Sequence, residues 1–186
     1  MPDRLEGGAV NASIRTIAPP RKPLYTPEQR LLRDRSPWTV VQGVLAPLQF
    51  LAFLVSLFLV LRYLVSGEGQ AAATASVVVK TVALYVIMIT GAIWEKAVFG
   101  RYLFATAFFW EDVFSMLVLA LHSAYLAALA LGWLNPRELM FLALAAYASY
   151  VVNASQFVLK LRAARLEGGG PASLSPSGGV RLEAAP

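Results

Sequence analysis

Four long apolar runs decide what this chain can fold into. They cover approximately residues 41–65, 72–94, 113–134 and 139–159. Each is long enough to cross a bilayer core, which takes about 20 helical residues. None alternates with period two, and all are too long for membrane strands. The expected architecture is therefore an all-α integral membrane four-helix bundle. Composition agrees: 58% of the 186 residues are apolar and 15% are charged, whereas a soluble domain carries about a quarter charged residues. The first run follows a polar segment of some forty residues and has no small-residue cleavage site close behind it, so it does not read as a signal peptide. With no cysteine, disulfides, thiolate catalysis and iron–sulfur clusters are excluded.

The net charge of +5 is distributed for membrane orientation, not for nucleic-acid binding. Arg4, Arg15, Arg21, Lys22, Arg30, Arg33 and Arg35 precede the first run, and Lys160, Arg162, Arg165 and Arg181 follow the last. The connection between runs two and three carries Lys96 and Arg101. The other two connections hold Arg137 alone. Basic residues stay on the cytoplasmic side, which predicts cytoplasmic termini and a cytoplasmic 95–112 connection. Tyr25-Thr26-Pro27-Glu28 reads as a helix start, with Thr26 as cap and Pro27 at the first position. A short basic interfacial helix running to Arg35 follows from it. Residues 1–24 read as a flexible extension, 25–166 as the membrane domain, and 167–186 as a disordered Gly/Ser/Pro tail.

Polar residues inside the runs must face other helices or a cavity, because hydrocarbon offers them no partner. Gln42, Gln49, Ser56 and Tyr63 recur every seven residues and share a face. Pro47 is expected to bend this helix and free a carbonyl. Lys80 either snorkels outward or enters a buried ion pair. Gly91 and Ala92 read as close-packing positions. In the third run Glu111, Ser115, His122 and Tyr125 share a face, with His122 roughly 16 Å along the axis from Glu111. In the fourth, Ser149, Asn153, Gln156 and Lys160 share a face. These groups serve either as interhelical hydrogen bonders or as contacts to a polar substrate edge. No metal-site, nucleotide or nucleophile motif is present.

The segment 94–112, WEKAVFGRYLFATAFFWED, gathers three acids, two Trp, four Phe and one Tyr in nineteen residues. Trp94, Phe108, Phe109 and Trp110 can form an interfacial aromatic belt. Glu111 and Asp112 can be the acidic first turn of a helix, and Glu95 and Lys96 interfacial charges. Alternatively, the coincidence marks the mouth of an active site: carboxyl groups beside hydrocarbon pair, protonate or do chemistry, and aromatic faces suit a flat apolar ligand.

The strings TPEQRLLRDRSPWTVVQGVLAPLQFLAFLVSLFLVLRYL, ALYVIMITGAIWEKAVFGRYLFATAFFWEDVFSMLVLALHSAYL and YVVNASQFVLKLRAARLE resemble the 3-vinyl bacteriochlorophyllide hydratase family (2-vinyl in older ring numbering). The resemblance covers about residues 24–167. Thr106 departs from an expected proline. The family implies hydration of the C3 vinyl group of chlorophyllide a, or of a related bacteriochlorophyllide, to 1-hydroxyethyl during bacteriochlorophyll synthesis. It implies no redox cofactor, a Mg-tetrapyrrole substrate, lipid and neighbouring pathway enzymes as partners, and a bacterial inner or intracytoplasmic membrane.

No residue role comes with the resemblance, so the roles expected here follow from the chemistry. A protonated acid must stand over the vinyl terminus, with a positioned water and negative charge near the cation. Glu111 is the preferred acid and Glu95 the alternative, with Asp112 orienting water or stabilising the cation. His122 ligates the substrate Mg, shuttles a proton, or only bonds between helices. Lys96 and Arg101 hold the free propionate. Trp94, Phe109 and Trp110 stack on the ring, and Ser115, Tyr125, Asn153 and Gln156 complete the substrate contacts. A non-catalytic pigment carrier or photosystem assembly factor would use the same aromatics and His122 without an acid. A small proton-coupled transporter is a third reading, weakened by the lack of an inverted repeat.

Overall fold

A computed structural model describes residues 24–168. The expectations for residues 1–23 and 169–186 lie outside the described residues. Five helices follow one another: α1 (Pro27–Arg35), α2 (Pro37–Ser66), α3 (Gln70–Phe99), α4 (Phe109–Leu131) and α5 (Pro136–Gly168). Four of them, α2 to α5, are long and apolar enough to cross a membrane, as the runs predict. Their outward faces carry Val44, Leu48, Leu51, Phe58, Val82, Leu117 and Val158, all exposed. In water such a surface would be prohibitive; in lipid it is the expected one.

The helix ends are encoded locally. Thr26 caps α1: its hydroxyl accepts from the Gln29 N–H at 3.2 Å, and the Gln29 side chain accepts from the Thr26 N–H at 2.9 Å. This reciprocal pair is a capping box. Asn135 and Glu138 form another before α5, with Asn135 Oδ1 accepting from the Glu138 N–H and Glu138 Oε2 from the Asn135 N–H. Glu138 is thus a helix-start acid. Helix α3 stops at Gly100, whose φ of 80° lies in the left-handed region, where a side chain would be strained. Helix α2 runs through Pro47 without interruption.

The bundle is two antiparallel hairpins. In α2/α3, the Trp94 indole N–H donates to Thr39 Oγ1 at 2.9 Å, Gln42 Nε2 to Thr90 Oγ1 at 2.7 Å, and Ser56 Oγ lies 2.8 Å from Ser76 Oγ. As the residue number rises on one helix it falls on the other. In α4/α5, Glu111 pairs with Lys160 and Ser115 with Asn153. The hairpins meet where α2 lies against α5 and α3 against α4. The main core holds Phe53, Val60, Ala73, Val77, Leu84, Val118, Tyr125 and Tyr147. A second, aromatic cluster of Tyr25, Val98 and Phe108, with Trp94, Phe99 and Phe157 against it, closes the end where α1 lies. Burial raises the Tyr25 phenol above its ordinary pKa, and the Arg33 guanidinium, 4.8 Å from the ring centre, draws it partly back.

Lys80 neither snorkels nor finds a carboxylate. It is fully buried, with Nζ 2.7 Å from His122 Nε2 and 4.2 Å from the centre of the Tyr150 ring. An imidazole lone pair and an aromatic face stand in for the expected anion.

Gly91 does not mark an obligatory close approach. A Cβ there would meet Gln42 Oε1 at 3.7 Å, an ordinary contact. Gly91→Ala should therefore stabilise the protein, by up to about 1 kcal/mol, through helix propensity. A raised thermal midpoint in detergent checks this, and a clear drop would contradict the packing.

Candidate active site

The last turn of α3 and the first turn of α4 come together at the α1 end of the bundle, joined by residues 100–108. This places Glu95 and Asp112 side by side, 5% and 4% exposed, close enough for their carboxyl groups to interact directly. Two ionised carboxylates have no hydrogen to share. Two buried carboxyl groups this close favour one proton shared between them.

The connection completes the pair. The Phe104 N–H donates to Asp112 Oδ2 at 2.7 Å, and the Ala105 N–H donates to Glu95 Oε2 at 3.3 Å. Phe104 is the single non-glycine residue with positive φ among the described residues, at 59°. That conformation costs of order 1–3 kcal/mol, and here it turns the N–H toward Asp112. Arg101 steadies the same turn from outside, donating to the Phe104 carbonyl at 3.4 Å.

Glu111 is one residue from Asp112 but has a different partner. Lys160 Nζ donates to its Oε2 at 2.6 Å, and lies 5.0 Å from the centre of the Phe108 ring. Glu111, expected as the preferred acid, thus has a cation as its partner, whereas Glu95, the expected alternative, lies against Asp112. One turn further into the bundle, Asn153 Nδ2 donates to Ser115 Oγ at 2.9 Å. Gln156, half-buried one turn along α5 from Asn153, has an unpaired Oε1. The helical spacing that grouped Glu111 with Ser115, and Asn153 with Gln156 and Lys160, brings these side chains to one interior layer.

Other expected site residues lie elsewhere. Trp94 meets Phe99 and Phe108 edge-on at 5.8 and 5.7 Å and donates to Thr39. It is a partly buried member of the aromatic cluster at this end. Phe109 and Trp110 are exposed and meet edge-to-face at 5.5 Å. Lys96 is exposed, bonding the Gly100 carbonyl at 2.8 Å, and Arg101 is exposed on the connection. His122 is fully buried; Nδ1 faces the Val118 carbonyl at 2.8 Å and Nε2 faces Lys80. Both nitrogens are engaged within the bundle, the arrangement expected of an interhelical hydrogen bonder. Tyr125 is buried in the main core a further turn along α4, away from the acids.

Sequence reasoning missed Tyr25, Phe99 and Phe157 as the seal over the acids, and the two backbone N–H groups that hold the pair. Backbone donors carry no residue signature. The aromatics could have been suspected only from their density.

The pairing of Lys160 with Glu111 predicts a mutational coupling. Lys160→Met should destabilise by about 2 kcal/mol, because it leaves an anion uncompensated. Adding Glu111→Gln should recover most of that loss. Thermal unfolding of the two single variants and the double variant in detergent reads the coupling; strict additivity would contradict the pair.

A family model for 2-vinyl bacteriochlorophyllide hydratase matches residues 25–163. The chain is 65% identical over 149 residues to the 2-vinyl bacteriochlorophyllide hydratase of Rhodobacter capsulatus, covering 80% of this chain and 86% of that protein. It is 66% identical over 151 residues to the protein of the same name from Cereibacter sphaeroides, covering 81% and 93%. No solved structure matches. The match spans all five helices and the whole acid layer, and the chain belongs to the 2-vinyl bacteriochlorophyllide hydratase family.

Proposed function

We propose that this protein hydrates the C3 vinyl group of chlorophyllide a, or of a related bacteriochlorophyllide, and that Glu95 and Asp112 together supply the proton. Family membership makes it a hydro-lyase of bacteriochlorophyll biosynthesis. The observation that carries the mechanism is the buried contact between the two carboxyl groups.

The chemistry needs a proton on the terminal CH2. Positive charge then develops on the carbon attached to the macrocycle, and water adds there. The Glu95–Asp112 pair gives up its shared proton at the first step and becomes two carboxylates. That doubled negative charge faces the new cation in a poorly solvated site, where it stabilises strongly. When water has added, the adduct returns a proton to the pair and restores it. One pair thus serves as acid, electrostatic stabiliser and base. Glu111, neutralised by Lys160, needs no part in the proton transfer.

The end of the bundle carrying α1 is read as cytoplasmic, from the basic residues of α1, the 95–112 connection and the end of α5. Lys96 and Arg101, exposed at this end, suit the free propionate. The exposed pair Phe109 and Trp110 offers an apolar step beside it for the ring.

The test is to express the chain in a non-photosynthetic bacterium, supply its membranes with chlorophyllide a, and follow pigments by chromatography and mass. The expected product is heavier by one water. Glu95→Gln and Asp112→Asn should each lower the rate by about 100- to 10,000-fold while pigment still binds. Glu111→Gln should lose about tenfold or less, since removing that carboxylate takes away no proton donor. Pigment that co-purifies unchanged with the wild-type protein would instead identify a carrier.

A further inference from the structure

Gln49 is 3% exposed in the interior of α2, and neither its Oε1 nor its Nε2 has a partner among the described residues. Buried amides are normally satisfied, and more so in hydrocarbon, where no solvent can compensate. Many other polar groups of this bundle keep that rule, although Tyr125 Oη and Ser36 Oγ are also unpaired among the described residues. Ser56 bonds Ser76 and Tyr147, Gln42 bonds Thr90, and Tyr85 bonds Ser123.

Three of the exceptions, Gln49, Asn153 and Gln156, fall on α2 and α5. Phe53 of α2 meets Tyr150 of α5 with ring centres 5.0 Å apart. One turn from that contact along each antiparallel helix, toward the acid pair, lie Gln49 and Asn153. The residues next to them in the chain, Phe50 and Ala154, line one groove between α2 and α5. Asn153 is 9% exposed; its Nδ2 is used on Ser115, but its Oδ1 is unpaired. The unpaired oxygens of Gln49, Asn153 and Gln156 make this layer rich in acceptors. Carbonyl and ester oxygens on a tetrapyrrole edge are acceptors too, so of these unpaired atoms they could meet only Gln49 Nε2. A water molecule, with two hydrogens to donate, complements the oxygens.

We propose that Gln49 and Asn153 hold the water molecule that adds to the vinyl group, an inference that rests on the hydratase reading above. Water donates one hydrogen to Gln49 Oε1 and the other to Asn153 Oδ1. Its oxygen lone pair is left for the carbocation, and the carbon–oxygen bond forms there. The surplus proton of the adduct goes back to the Glu95–Asp112 pair. Amides suit this task beside an acid, because they hold water without taking the proton meant for the substrate.

The test is Gln49→Leu, assayed with chlorophyllide a in heavy water. An apolar side chain removes an unsatisfied amide, so the expected thermal midpoint is equal to or above wild type; a structural role for the amide would lower it. Hydration should fall about 100-fold. The acid pair should still protonate the vinyl group reversibly, so recovered substrate should gain deuterium at the terminal CH2 without gaining oxygen. Glu95→Gln should show neither deuterium nor product, which separates loss of water from loss of acid. Should the leucine variant not fold, Gln49→Met keeps an unbranched stem and is read the same way. Full hydration in the variant would overturn the assignment, as would the loss of product and exchange together. Wild-type membranes that leave the pigment unchanged would overturn the hydratase reading and the water site with it.

Discussion

Hydrocarbon offers no hydrogen-bond partner, and the organisation of this bundle follows from that constraint. Each polar side chain within the spans must be met by another part of the chain or by a ligand. The result is a series of layers along the bundle axis. Ser56, Ser76 and Tyr147 tie α2, α3 and α5 together; Lys80 and His122 join α3 to α4; Glu95, Asp112, Glu111 and Lys160 join α3, α4 and α5 at the α1 end. The first two layers are closed among themselves and bind the hairpins to each other. The acid layer differs, because its donors come from a connecting segment and its neighbours include amides with atoms to spare.

Two lysines show how position decides chemistry. Lys160, near the end of α5, is partly exposed and pairs with a carboxylate. Lys80, in the middle of α3, has no acid within reach and rests on an imidazole nitrogen and aromatic rings. The buried carboxyl groups are confined to one end, where the backbone N–H groups of residues 104 and 105 reach Asp112 and Glu95. Over that end lies the aromatic cluster of Tyr25, Trp94, Phe99, Phe108 and Phe157. It limits the entry of bulk water to a site whose proposed reaction admits one water in a chosen place.

Much of the architecture was legible in the sequence. The four spans, the helix beginning at Pro27, the cap at Thr26 and the shared faces of α4 and α5 all follow from rules that act within a few residues, namely helical period, capping and proline geometry. The density of acids and aromatics in 94–112 pointed to the end of the bundle where Glu95, Glu111 and Asp112 are buried. The strings on which the family resemblance rested lie inside the matched segment.

Partnership was not legible. From spacing alone, Glu111 was the better acid because it shares a face with Ser115 and His122. The tertiary structure gives Glu111 to Lys160, forty-nine residues away, and leaves Asp112 to Glu95. It also gives both nitrogens of His122 to neighbours and buries Lys80 without an anion. The reason is physical. Helical periodicity is a local property, so a single chain records which face each side chain presents. Which two faces meet, and which acid finds a cation instead of a second acid, depends on how four helices pack at once. Those pairings join residues far apart in sequence, and no local pattern encodes them.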